Sequence, residues 1–120
     1  MAAFTNYPIT QGFGPTSESL DSGGFNKGYD FATPLGTPID ALVGGTVISA
    51  GDSGDGWGIS VKVRDAQGNT HNYGHLSGVN VQPGQQITDG MLLGLSGNTG
   101  KSTGPHLSYD VWDSSGQYFD

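Results

Sequence analysis

Residues 59–76 read ISVKVRDAQGNTHNYGHL, and this stretch decides the fold. Its first six residues alternate between apolar and polar side chains: Ile59, Val61 and Val63 against Ser60, Lys62 and Arg64. Such alternation is typical of a strand that buries one face. Residues 65–69 contain Gly68 and suit a hairpin turn, so residues 70–76 are predicted to return as the neighbouring antiparallel strand.

Short strands are predicted on both sides of this hairpin. They cover residues 39–42, 46–50, 79–81, 92–95 and 107–112. The 22 glycines of the 120-residue chain lie between these apolar runs, as they do in proteins whose strands are joined by tight turns. No segment of useful length has a helical period. We therefore predict one all-β domain over residues 1–120, an antiparallel β sandwich or barrel hybrid.

A short internal repeat points to a duplicated β-unit. Residues 35–42 (LGTPIDAL) resemble residues 83–92 (PGQQITDGML), and each segment is followed by apolar residues and a glycine-rich turn. The shared positions are mostly turn residues. The repeat favours a duplicated, barrel-like sandwich.

The charge and the apolar content exclude several classes of partner. The formal net charge is −7, which would repel nucleic acid, anionic membranes and acidic wall polymers. No apolar stretch approaches the ~20 residues needed to span a bilayer. The N-terminal MAAFTNYPIT lacks the basic and apolar regions of a secretory signal. These features fit an intracellular protein, one released by lysis, a virion component or a fragment of a longer chain.

Two histidines are predicted to share one strand face. His71, Tyr73 and His75 stand at positions i, i+2 and i+4 of the strand predicted over residues 70–76. Side chains two residues apart in a strand project from the same face. The spacing therefore predicts that both imidazoles lie on one surface.

A second group of polar side chains occurs near the C-terminus. His106, Ser108 and Asp110 have the same two-residue spacing, and Asp30 ends the first strand-like run of the chain. If these strands adjoin residues 70–76, imidazoles and carboxylates converge on one groove. Neutral imidazole together with carboxylate is a ligand set that zinc uses.

Six segments spread over residues 9–112 match a known pattern. They read ITQGFGP (9–15), KGYDFATPLGTP (27–38), GGTVISAG (44–51), YGHLS (73–77), VQPG (81–84) and LGLSGNTGKSTGPH (93–106). Together they resemble the lysostaphin-type (LytM-like) zinc metalloendopeptidases, which hydrolyse peptidoglycan. The resemblance implies the β fold of that family and a groove for a peptidoglycan peptide, with residues of the matching segments along it: Tyr73, Asn98, Thr99 and Ser102.

The resemblance also implies where the zinc ligands and catalytic groups would lie. The family binds zinc through a His-x-x-x-Asp motif and the second histidine of a His-x-His motif. Asp30 matches the ligand aspartate, but Asn26 and Ser108 stand where the two ligand histidines belong. His75 and His106 match the two histidines that act on the attacking water and the developing oxyanion.

These two departures make a catalytically degenerate member the leading hypothesis. An amide and a hydroxyl are poor zinc ligands, so no cofactor is expected and hydrolysis would be lost. The chain would then bind a peptidoglycan peptide or a protein partner, as a virion-associated or cell-wall-facing module.

Three alternatives remain open. The first is an active zinc endopeptidase with a rearranged metal site, in which His71 or Asp110 replaces a lost ligand. The second is a deliberately inactivated variant of an active enzyme. The third is a purely structural subunit whose groove is buried against a partner.

The two tryptophans have a structural interpretation. Trp57 and Trp112 are large enough to stack on a sugar or a peptide. Aromatic side chains more often pack in a core or at its rim, and we predict packing for both.

Overall fold

Antiparallel strands make up the regular structure of this chain. The computed structural model describes residues 7, 9–11, 14–15, 25–26, 28–52, 57–99 and 105–118. Their strands are β1 (Ile9–Gln11), β2 (Gly14–Pro15), β3 (Phe25–Asn26), β4 (Tyr29–Phe31), β5 (Pro38–Asp40), β6 (Gly45–Asp52), β7 (Ile59–Arg64), β8 (Thr70–Val79), β9 (Gln86–Ile87), β10 (Leu92–Ser96) and β11 (Leu107–Trp112). No helix that could cross a membrane occurs in this part of the chain.

Most strands belong to one sheet. Its order is β1-β4-β11-β8-β7-β6-β9, and β10 joins it by pairing with both β5 and β8. Strand β8 is long enough to pair with β11 along its first half and with β10 along its second half. β2 and β3 form a separate two-stranded ribbon. The predicted all-β antiparallel class is confirmed.

The predicted strand bounds agree best where alternation is clear. Strands β7 and β11 occupy 59–64 and 107–112, as predicted. The separate strand predicted at 79–81 is wrong, because Val79 is instead the last residue of β8. Pairing of β10 with the end of β8 extends that strand beyond the apolar run that the sequence shows.

The internal repeat corresponds to two similar turns. Thr37 N donates to Pro34 O and Gln85 N donates to Gln82 O, each over 3.1 Å. Gly36 has a φ of 85° and Gly84 has one of 90°. Such values favour glycine, so both segments use the same turn chemistry to enter a short strand, β5 or β9.

The core lies on one side of the central strands. Val61 and Val63 of β7 face Tyr73 and His71 of β8 in register, and Tyr109 of β11 lies opposite Tyr73. Burial of each large apolar side chain contributes about 1.5–3 kcal/mol to folding. Several core side chains are fully buried: Ile39, Val61, Val63, Tyr73, Leu76, Leu93 and Leu107.

The opposite side of the same strands, which we call the polar face, carries three rows of cross-strand neighbours. The first row is Asp30, Ser108 and Gly74, the second is Asp110, Asn72 and Lys62, and the third is Trp112, Thr70 and Arg64. Successive rows are two residues apart along each strand. At about 3.3 Å per residue, the first and third rows are separated by ~13 Å.

Candidate functional site

The first row of the polar face joins two of the predicted ligand positions directly. Asp30 of β4 and Ser108 of β11 are register partners. The Ser108 hydroxyl Oγ donates a hydrogen bond of 2.8 Å to Asp30 Oδ1, and both residues are buried. The sheet register therefore joins two of the predicted ligand positions as a hydroxyl–carboxylate pair.

Two imidazoles lie beside this pair. His106 Nε2 is 4.0 Å from Asp30 Oδ1, and the ring centroids of His106 and His75 are 4.6 Å apart. His75 Nδ1 is 2.6 Å from Thr99 O. Because a carbonyl oxygen only accepts, Nδ1 carries the proton and Nε2 is the acceptor of the neutral ring. The site thus contains a carboxylate, a hydroxyl and two imidazoles.

His75 reaches this site through an unusual backbone conformation. Its φ is 62°, the only positive value among the described residues other than glycine, and its N–H donates to Trp57 O over 2.7 Å. This conformation interrupts the alternation of β8. The prediction that His71, Tyr73 and His75 share a face is therefore wrong: His75 meets His106, whereas His71 and Tyr73 contact Tyr109 on the core side.

His71 belongs to a separate network. A carboxylate only accepts, so His71 Nε2 donates to Asp65 Oδ2 over 2.8 Å, and in the neutral ring Nδ1 accepts from the Tyr109 hydroxyl, also over 2.8 Å. Burial raises the pKa of Tyr109 to about 12, so its hydroxyl keeps its proton. Both nitrogens of His71 are therefore engaged away from Asp30.

Replacing Asp65 by asparagine is expected to remove an acid-sensitive part of the stability. Burial acts to raise the pKa of the Asp65 carboxyl, but hydrogen bonds from His71 and from the backbones of Asn69 and Gln67 outweigh it and hold that pKa below its usual value. A depressed native pKa stabilises the fold above the unfolded value of about 3.9, and this contribution is lost as the pH falls through the native pKa.

The measurement is the free energy of unfolding of wild type and Asp65→Asn at pH 7 and pH 3. Asparagine keeps an acceptor for the two backbone N–H groups, but it loses the charge, and the amide nitrogen in place of Oδ2 no longer accepts from His71 Nε2. We expect the variant to be about 1 kcal/mol less stable at pH 7 and nearly equal at pH 3. An equal difference in the free energy of unfolding at both pH values would show that the Asp65 charge does not contribute to stability.

Asp110, the other candidate replacement ligand, is also engaged elsewhere. Its Oδ2 accepts from Asn72 Nδ2 over 3.2 Å, and both residues are buried. Its other oxygen lies against Gly28, close enough that a Cβ at Gly28 would collide with it. Asp110 thus contacts the backbone two residues before Asp30, a role that its position in the sequence did not indicate.

The two tryptophans pack over the polar face. Their ring centroids are 5.7 Å apart with 15° between the planes, which confirms the predicted packing. Trp57 also covers Gly74, since a Cβ there would lie 2.8 Å from Trp57 Cδ1. Trp57 therefore lies next to the site, although the sequence did not predict a role for it there.

The residues predicted to line the groove have different positions. Tyr73 is wrong as a groove residue: it is fully buried in the core, and its hydroxyl accepts from Leu42 N over 3.1 Å. Thr99 lies beside the site, where its Oγ1 donates to Leu76 O over 2.6 Å and its carbonyl meets His75. Asn98 is exposed. Ser102 and the side chain of Asn26 lie outside the described residues.

The donors at the inherited ligand positions do not suit zinc. Zinc in proteins is held by thiolate, imidazole and carboxylate, whereas these positions carry a carboxylate, a hydroxyl and the amide of Asn26. Within the described ranges, no three histidine or acidic side chains are grouped to hold a metal ion. His71 and Asp110, the candidate replacement ligands, are hydrogen-bonded to Asp65 and Asn72 and do not join Asp30.

Comparison with known proteins gives one family for this arrangement. The model for Peptidase family M23 matches residues 24–120. Lysostaphin from Staphylococcus simulans is 38% identical over 106 residues, which cover 87% of this chain and 21% of that protein. Peptidoglycan DD-endopeptidase ShyA from Vibrio cholerae is 41% identical over 88 residues, which cover 72% of this chain and 20% of that protein. The chain thus spans about one fifth of the length of these relatives.

A solved structure has the same fold. The catalytic domain of lysostaphin from Staphylococcus simulans superposes with a TM-score of 0.89 at 34% identity, covering 98% of this chain and 90% of that one. The likeness therefore includes the strands that carry Asp30, His75 and Ser108, and His106 directly before β11.

Proposed function

Because this chain belongs to peptidase family M23, we propose that it is a non-hydrolytic module that binds the peptide part of peptidoglycan. The family resemblance predicted from the sequence segments is confirmed, and names such as lysostaphin and peptidoglycan DD-endopeptidase describe active relatives. The loss of hydrolysis and the retained binding are the two parts of the proposal.

The hydrogen bond from Ser108 to Asp30 carries the first part. It joins the one retained ligand to a side chain that replaced a ligand, at 2.8 Å in a buried position. Binding zinc there would require breaking this bond without an imidazole at position 26 or 108 to compensate. Metal-assisted hydrolysis depends on lowering the pKa of a water from about 16 to about 7, which a carboxylate alone does not provide.

The neighbouring imidazoles support the second part. His75 and His106 match the family histidines in the sequence, their ring centroids lie 4.6 Å apart, and each neutral ring has a donor and an acceptor nitrogen. Peptide groups present N–H donors and carbonyl acceptors at regular spacing along an extended chain. Paired imidazoles beside a buried carboxylate therefore suit the binding of a peptide backbone.

A second candidate function is an active zinc endopeptidase with ligands drawn from the site itself. The observation that favours it is the distance of 4.0 Å between His106 Nε2 and Asp30 Oδ1, with the His75 ring centroid 4.6 Å from that of His106. It requires Ser108 to release Asp30. This candidate predicts metal-dependent release of peptidoglycan fragments, which the first does not.

Co-sedimentation with insoluble peptidoglycan tests the proposal. Wild type is expected to pellet with peptidoglycan equally well with and without a chelator, and to release no soluble fragments. His106→Ala is expected to weaken retention several-fold, because the imidazole at the centre of the site is lost. Asn80→Ala, which changes an exposed residue outside the site, serves as the matched control and is expected to behave as wild type.

Two outcomes would contradict the proposal. Wild type that stays in the supernatant has no peptidoglycan-binding function under the assay conditions. Fragment release that stops on adding a chelator indicates the active enzyme instead.

A further inference from the structure

A cleft of about 500 Å³ lies at the end of the polar face farthest from Asp30 and Ser108. Its lining comprises Arg64, Gly68, Thr70, Trp112 and the turn over residues 113–116. Arg64, Thr70 and Trp112 are the third row of the polar face, so the cleft lies on the same side of the sheet as Asp30 and Ser108. None of these residues belongs to the family motif quoted above.

Arg64 is the unusual residue of this cleft. The described ranges contain two basic side chains, and Lys62 is engaged: its Nζ donates to Ser60 Oγ over 3.2 Å and lies 5.1 Å from the Trp57 ring centroid. No hydrogen bond or ion pair joins the Arg64 side chain to any described residue. An exposed guanidinium has five N–H donors in a planar fork, which matches a carboxylate in a bidentate geometry.

The apolar wall of the cleft is held in place. The Trp112 ring stacks on Trp57, and its centroid is also 5.2 Å from that of Tyr118. An aromatic ring with neighbours on two sides loses little conformational entropy when a ligand packs against its edge. Trp112 therefore offers a preorganised contact for a small apolar side chain.

The lining also carries one acidic residue. Asp113 Oδ1 accepts from the Ser115 backbone and hydroxyl and from Gln117 N, which keeps the turn in shape. Asp113 and Arg64 line the same cleft without forming an ion pair. A ligand that contacts both residues would need a negatively charged group for Arg64 and a hydrogen-bond donor for Asp113. The last residue of a peptide has both, since its carboxylate follows an amide N–H.

We propose that this cleft binds the C-terminal residue of a peptide, with its carboxylate on Arg64, its amide N–H toward Asp113 and its side chain against Trp112. That the peptide comes from peptidoglycan rests on the proposed function, whereas the carboxylate specificity does not. The ~13 Å between the third and first rows equals about four extended residues. A peptide anchored in the cleft and running over the Trp57 ring would bring its fourth or fifth residue from the end level with Asp30 and Ser108.

The test compares N-acetyl-D-alanyl-D-alanine as the free acid and as the carboxamide. Titrations of the full chain are followed by calorimetry and by the Trp112 indole resonance in NMR spectra. Wild type is expected to bind the acid at least ten-fold more tightly than the amide. Arg64→Gln is expected to remove this preference, and Arg64→Lys, which keeps the charge but not the planar fork, to retain part of it.

Several results would overturn the inference. They are equal binding of acid and amide by wild type, an undiminished preference in Arg64→Gln, and no binding of either peptide at millimolar concentration. Peptidoglycan retention without acid preference would contradict this inference and leave the proposed function standing. If the protein binds the acid selectively through Arg64 but does not co-sediment with peptidoglycan, this inference stands and the proposed function is contradicted.

Discussion

Replacing Asn26 and Ser108 together by histidine is expected to produce a protein that binds one zinc ion per chain. The double variant would have two imidazoles and the Asp30 carboxylate, which is the three-ligand set of many catalytic zinc sites. An imidazole at position 108 also removes the hydroxyl that bonds to Asp30 Oδ1. Zinc sites of this kind in small domains are worth on the order of 10 kcal/mol, so the change in affinity should be very large.

Elemental analysis after dialysis without chelator measures this gain. Wild type is expected to retain essentially no zinc, and each single histidine variant far less than the double variant. Adding Asp30→Asn to the double variant should abolish binding again. Peptidoglycan hydrolysis by the zinc-loaded double variant, with His75 and His106 already in place, would be a second gain. Wild type that already contains about one zinc per chain would contradict the assignment of a degenerate site.

Replacing Gly28 by alanine is expected to be among the most destabilising single substitutions in the described residues. A Cβ at this position would collide with the Asp110 carboxylate and lie 2.5 Å from Tyr109 O. The Tyr109 carbonyl belongs to β11, and Asp110 is buried and bonded to Asn72, so neither can move without disturbing the sheet. Overpacking of this kind typically costs up to about 3 kcal/mol.

Gly78→Ala provides the matched control. Gly78 lies in strand β8, on the other side of β11 from β4, and a Cβ there has no heavy atom within 4 Å. Its substitution should change the free energy of unfolding by no more than about 0.5 kcal/mol. Urea denaturation of both variants measures the difference. Equal stabilities would show that the segment before Asp30 adapts, and that Asp110 does not hold it in place.

The local sequence pattern was sufficient to predict a strand where one face of that strand is buried and the other is exposed. The alternation of residues 59–64 predicted β7 and its antiparallel class correctly, because the side-chain period of a strand is two. The spacing of Ser108 and Asp110 placed both on one face of β11 for the same reason. The segments around 93–106 identified the family, since glycine-rich turns and site residues occur there in a fixed order.

Local pattern failed where the backbone departs from regular alternation. His75 has a φ of 62°, so it lies with His106 rather than with His71 and Tyr73. Nothing in the sequence YGHLS marks that conformation, because histidine seldom adopts it. The hydrogen bond of its N–H to Trp57 O, from a residue 18 positions earlier in the chain, exists only in the folded sheet.

The amino-acid sequence alone determined the all-β class, the family and the identity of the side chains at the ligand positions. Those properties depend on composition, short-range periodicity and the order of residues along the chain. Only the tertiary structure decided that Ser108 bonds to Asp30, that His71 and Asp110 are engaged elsewhere, and that Arg64 and Trp112 share a cleft. These contacts join residues that are distant in the chain. They follow from sheet register, which is set by the pairing of two strands and cannot be read from the sequence of one strand alone.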